Sequence, residues 1–110
     1  MQQEIYNKLV RDKIPEIIKA SNKHCECAYV TDSELQKLLD EKLIEEVNEY
    51  LESGKTEELA DIIEVIYGIL KIKGIDSPEL EAIRLKKKRE RGGFEKGVLL
   101  KKVWKEKSGK

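Results

Sequence analysis

The sequence predicts a mainly α fold: a helical hairpin in a four-helix-bundle-type domain, with a small two-stranded β-ribbon and a dimeric assembly. Three observations carry that expectation. Apolar residues recur at helical spacing on both sides of Ser53-Gly54-Lys55, so a bend there folds two helices against each other. Start and stop signals punctuate the chain: Thr31-Asp32-Ser33, Thr56 and Ser77-Pro78 open helices, and Gly54, Gly74 and Gly92-Gly93 close them. The stretch Leu59 to Leu70, LADIIEVIYGIL, is apolar nearly all round. Such a helix is buried on most sides, either by the other helices or by a second subunit, and a dimer is expected.

After an extended start, Ile14 to about Ala20 has helical spacing, and Pro15 is tolerated in the first turn. Cys25 to Val30 alternates in character and reads as a short strand. Thr31-Asp32-Ser33 offers N-caps for a long helix from about Ser33 to Glu52, with Glu34 suited to its first turn. Its apolar positions are Leu35, Leu38, Leu39, Leu43, Ile44, Val47, Tyr50 and Leu51, and Gly54 is the natural stop. The next helix begins after Thr56 as N-cap and runs to about Lys73-Gly74. Ser77 caps a fourth helix, with Pro78 at its first position, that lasts to Arg91. Gly97 to Trp104 reads as a second strand pairing with the first. No repeat or linker interrupts the chain, which reads as one domain, 1–110.

Composition narrows the function classes. Hydrophobic residues make up 39% of the chain and aromatics 5%, so the core is aliphatic. Twenty-two basic residues balance 22 acidic ones, which leaves no overall electrostatic footprint for a nucleic acid polymer. Charged residues reach 40%, rich in Lys and Glu, a balance that leans toward a thermophilic source. No apolar run is long enough to span a bilayer, and MQQEIYNKLVRDK lacks the apolar core of a signal peptide, so no membrane partner and a cytoplasmic location are expected. Cys25 and Cys27 then read as free thiols packed in a strand. His24-Cys25-Glu26-Cys27 lacks a second ligand pair at zinc-like spacing, and His24 is the only histidine.

The chemistry-bearing feature is acidic. Glu46 and Glu49 sit three residues apart before the bend, and Glu58 and Asp61 sit three apart after it, so each pair shares a helix face. Glu46 with Asp61, and Glu49 with Glu58, are symmetric about the Ser53–Gly54 peptide bond. In an antiparallel hairpin these pairs come level as two rungs of acid, roughly 4.5 Å apart along the axis at about 1.5 Å per residue. Four carboxylates held that close repel unless a cation sits among them, and hard divalent ions take such ligands. A solvated or salt-bridged face is the alternative in a chain with this much acid. Asp61 and Glu64 resist it, being the only charges in an apolar stretch where bare carboxylates are costly to bury.

At Lys42-Leu43-Ile44-Glu45-Glu46-Val47-Asn48-Glu49, followed by Glu58-Leu59-Ala60-Asp61, the chain resembles the MazG-like all-α nucleoside triphosphate pyrophosphohydrolases, a superfamily that also contains phosphoribosyl-ATP pyrophosphohydrolase. Its hallmark is ExxE on one helix and ExxD on the next. Tyr6 to Pro15, YNKLVRDKIP, and Arg91-Gly92-Gly93-Phe94 look like a compact house-cleaning branch, so the resemblance spans nearly the whole chain. Only eight residues, 50 to 57, separate the two halves of the motif, fewer than in many members. Less material then overhangs a nucleotide, so base selectivity is loose or supplied by another subunit.

The resemblance implies hydrolysis of a nucleoside triphosphate between the α and β phosphates, releasing monophosphate and pyrophosphate with Mg²⁺, for which Mn²⁺ can substitute. Glu46, Glu49, Glu58 and Asp61 would hold the metal, with Glu64 as a further ligand. Glu45 and Glu46 are the catalytic candidates. Glu45 points about 100° away from the cluster, so it either serves as a supporting base or forms a salt bridge. Lys8, Arg11, Lys13 and Arg91 are candidates for phosphate, since arginine binds phosphate bidentately and Gly92-Gly93 lets backbone N–H groups approach an anion. Phe94 is a candidate for stacking on a base. Surface exposure of the lysines, a helix stop at Gly92-Gly93 and a core position for Phe94 are the plainer readings. Three other functions stay open: phosphoribosyl-ATP hydrolysis, a non-catalytic nucleotide- or metal-sensing module, and a plain oligomerisation domain.

Overall fold

The computed structural model describes residues 2–107. Four helices follow in order: α1, Ile14–Ala20; α2, Asp32–Ser53; α3, Thr56–Lys73; and α4, Ser77–Arg91. The mainly α expectation stands. The chain divides into two compact units, Met1–Ser77, which holds α1 to α3, and Pro78–Lys110.

Local chemistry sets the helix ends. Thr31 caps α2, its Oγ1 accepting the Glu34 amide at 3.3 Å. At the far end Gly54 takes the left-handed conformation, φ 67°, and its N–H bonds the Tyr50 carbonyl at 2.7 Å. A residue with a Cβ resists that conformation, so glycine is what makes the two-residue connection Gly54-Lys55 possible. Thr56 proves to be the first residue of α3 rather than its N-cap; Lys55 holds the cap position without a side-chain bond. The Ser53 hydroxyl accepts the Lys55 N–H instead, and Glu57 and Glu58 in the first turn offset the helix dipole. Gly74, φ 71°, closes α3, with the Ile75 N–H returning to Leu70 at 2.9 Å.

Helices α2 and α3 form an antiparallel hairpin whose buried apolar residues are Leu39, Val65 and Leu70. Gly68 explains how Leu39 gets there. A Cβ at position 68 would stand 3.1 Å from Leu39 Cδ2, so the bare backbone is the seat for that side chain. Mid-helix glycine costs ~1 kcal/mol against alanine, and here the close approach offsets it. Gly68→Ile should wedge against Leu39 and lower stability by about 1–3 kcal/mol, measurable by urea denaturation. Unchanged stability would mean that Leu39 swings away at no cost.

The hairpin leaves apolar side chains open. Leu59, Ile63 and Tyr67, spaced by four residues along α3, are 42%, 50% and 49% exposed, and Ile44, Val47 and Leu51 form a second exposed stripe on α2. The near-complete burial expected for Leu59 to Leu70 is therefore not achieved within the unit that holds α1 to α3.

The β-ribbon is not formed among the described residues: neither 25–30 nor 97–104 adopts a strand. Alternation gives a segment two distinct faces, but a strand also needs a neighbour for its backbone N–H and C=O groups. Tyr29 and the apolar residues Val98, Leu99, Leu100, Val103 and Trp104 are all exposed. The cysteines are free as expected, but they are not strand-packed. Cys25 is half-buried, Cys27 is exposed, and their sulfurs lie 3.9 Å apart. Among the described residues, no helix is long and apolar enough to cross a membrane.

Candidate metal centre

The short Gly54-Lys55 connection brings the two acidic pairs together as their symmetry about the bend requires. One carboxylate oxygen from each of Glu46, Glu58 and Asp61 lies within 4.8 Å of the others. Glu49 completes the set electrostatically, its charge acting on both Glu46 and Glu58. Burial first, then Glu49 and Asp61, push the Glu46 carboxyl above its ordinary range, while Lys42 pulls the other way. Glu58 is pushed up by burial and then by Glu49 and Asp61, with Lys55 opposing.

Glu46 is the deepest of these acids, 6% exposed, and its Oε2 atom is buried without a hydrogen-bond partner. A buried carboxylate oxygen with no donor is costly. Its other oxygen, Oε1, lies 3.5 Å from the Lys42 ammonium. Lys42 was not among the sequence-predicted site residues. It lies largely buried between Glu45, at 3.3 Å, and Glu46. The spacings i, i+3 and i, i+4 were the available signal, but on so charged a helix they look like ordinary surface pairing.

The remaining candidates sort clearly. Glu45 does not join the cluster; it accepts from Lys8 at 2.8 Å and from Lys42, and its carboxyl is held below the usual range, first by the Lys8 hydrogen bond. Arg11 Nη2 donates to Asp61 Oδ1 at 2.5 Å across 50 residues of sequence. Lys13, at the N-cap of α1, is exposed and has no ion pair among the described residues. Glu64 is exposed and stands outside the acidic group.

Arg91 and Phe94 belong to the C-terminal unit. Arg91 is the last residue of α4, and Gly92, φ 84°, turns its N–H back to the Lys88 carbonyl at 2.8 Å, so the helix-stop role of this glycine is real. Phe94 is 99% exposed, so it is not packed within that unit.

Comparison with protein families, curated proteins and solved structures finds no match. The chemistry of the site is set by its own side chains. Its donors are carboxylate oxygens alone, which suit a hard cation such as Mg²⁺ or Mn²⁺ over a soft one. The unpartnered Glu46 Oε2 gives an independent reason that a cation fits here.

Protonation should report on the cluster when a chelator is present. The folded pKa values of Glu46 and Glu58 are raised, so the stability linked to them is fully present below the unfolded carboxylate range and is lost as pH rises through the folded values. Glu45 runs the other way: its folded value is lowered, so its contribution is present above the unfolded value and is lost as pH falls through the folded one. The metal-free chain should thus gain stability on mild acidification from neutral pH and lose it again in stronger acid. Urea titrations across that range measure this, and a steady loss from neutrality downward would show that the acids do not repel as described.

Proposed function

We propose that the chain is a Mg²⁺-dependent nucleoside triphosphate pyrophosphohydrolase of the MazG-like type, hydrolysing the α–β phosphoanhydride to a monophosphate and pyrophosphate. The observation that carries the reading is the hairpin cluster of Glu46, Glu58 and Asp61, with a buried Glu46 oxygen that has no partner. Glu49 completes the ligand set across the bend. When bound, Mg²⁺ supplies charge neutralisation for the triphosphate and activation of water.

The rest is the work of this chain's side chains. Lys8 and Arg11, already beside the acids, supply cationic groups for phosphate oxygens. Glu45 orients Lys8 and Lys42, whose ammonium groups it holds, and is not a metal ligand. In the C-terminal unit, the resemblance assigns Arg91 to phosphate and the exposed Phe94 to stacking on a base. The working unit is a homodimer, in which a second copy covers the apolar stripes on α2 and α3.

The deciding experiment is an assay of pyrophosphate release with Mg²⁺, run over canonical triphosphates, damaged triphosphates and phosphoribosyl-ATP. Release from a triphosphate, lost on chelation, is the expected result. Release from phosphoribosyl-ATP alone would move the protein to that reaction. Mg²⁺ binding with no pyrophosphate from any substrate would leave a sensing module.

A further inference from the structure

The N-terminal segment is anchored to the hairpin by charge. Residues 2–13 form no helix, and Asn7 turns the backbone through a left-handed conformation, φ 46°, just before Lys8. Lys8 then pairs with Glu45 on α2, and Arg11 pairs with Asp61 on α3. These cations come from far along the chain, 37 and 50 residues away from their partners. The Asp61 side chain that takes the guanidinium is the one that faces Glu46 and Glu58.

Two cations cannot both sit closely on that carboxylate without repelling. Oxygen ligands stand about 2.0–2.1 Å from Mg²⁺, and the Arg11 nitrogen already lies 2.5 Å from Asp61 Oδ1. From this geometry we infer that Arg11 is a resident counter-ion of the acidic cluster, displaced when a divalent cation enters. Lys8, which pairs with Glu45 and touches none of the three clustered acids, keeps the segment tethered during the exchange. The released guanidinium has no other acid partner among the ion pairs described. Its planar fork is then free for the phosphate oxygens that accompany the cation. Metal entry thereby converts an acid-neutralising residue into a phosphate-binding one, so the phosphate site is assembled only after the metal site is filled. This inference rests on reading Glu46, Glu49, Glu58 and Asp61 as cation ligands.

The test uses the full chain without nucleotide and Mn²⁺ alone as the probe, with affinity read by calorimetry. Arg11→Gln should bind Mn²⁺ roughly two- to fivefold more tightly than the parent, the change expected from removing one solvent-screened competitor. Lys13→Gln removes the same charge from the same segment but no ion pair, and should leave the affinity unchanged. In the parent chain, Mn²⁺ should also speed tryptic cleavage after Arg11, because the tether to Asp61 has opened. Equal or weaker Mn²⁺ binding by Arg11→Gln, or cleavage that Mn²⁺ does not accelerate, overturns the exchange. If the parent binds no Mn²⁺ at all, both the exchange and the metal site fall. If the exchange is seen but no pyrophosphate is released, the hydrolase reading alone is lost and the counter-ion role stands.

Discussion

Glu46→Gln is expected to abolish the stabilisation by Mg²⁺ while leaving the metal-free chain at least as stable as the parent. Ligand binding to the folded state alone adds about 2.7 kcal/mol at a hundredfold excess over Kd. At roughly 4–8 °C per kcal/mol for a small domain, the parent should melt ~10 °C higher or more with saturating Mg²⁺. Glu46 is the buried member of the proposed ligand set, so its amide should flatten that response. The same substitution removes a buried carboxylate that has Glu49 and Asp61 for neighbours and one unpaired oxygen, and it leaves Lys42 its partner Glu45. The metal-free melting point should hold or rise. Pyrophosphate release should fall by about 10²–10³-fold, the scale seen when one preorganised electrostatic group is lost. A Mg²⁺ response equal to that of the parent would remove Glu46 from the ligand set.

The second large effect concerns assembly. Ile63 is half-exposed in the middle of the α3 stripe formed with Leu59 and Tyr67. Ile63→Glu should therefore split the proposed dimer without disturbing the interior of the hairpin, since the buried residues Val65 and Leu70 are untouched. Sedimentation should shift from the mass of two chains to that of one, with helical content retained. Ile66 is a poorer site for this test, because it is partly covered within its own chain and a charge there confuses unfolding with dissociation. A parent chain that sediments as a monomer at micromolar concentration would rule the dimer out.

Much of this arrangement was legible before any coordinates. The ends of α2 and α3 fall within a residue or so of their sequence signals, because Thr31, Gly54 and Gly74 each answer a specific shortage of backbone partners. The acidic cluster was legible for a related reason. Once glycine forces a tight bend, helix periodicity alone decides which residues come level. Contacts that depend on long-range placement were not legible. Nothing local in YNKLVRDKIP says that Arg11 will meet Asp61 rather than solvent, and Lys42 is disguised by the many charges around it. Neither Cys25–Val30 nor 97–104 forms a strand, because alternation in the one and an apolar run in the other describe side chains. Pairing is a property of two backbones, and one segment cannot reveal the other. Thr56 lies one position inside α3, because Ser53 and Lys55 take up the capping geometry of so short a bend.

The two-residue link between α2 and α3 also shapes how the molecule comes into being. Contacts between neighbours joined by so short a loop have low sequence separation, and chains dominated by such contacts fold on the microsecond to millisecond scale. During synthesis, folding proceeds from the N-terminal side at about 5–20 residues per second, so the hairpin has time to close before residues beyond α3 emerge. Closing it means driving Glu46 toward Asp61 and Glu49 toward Glu58 against their mutual repulsion. Closing the hairpin therefore carries an ionic cost, and salt or a divalent cation that screens these acids should lower it.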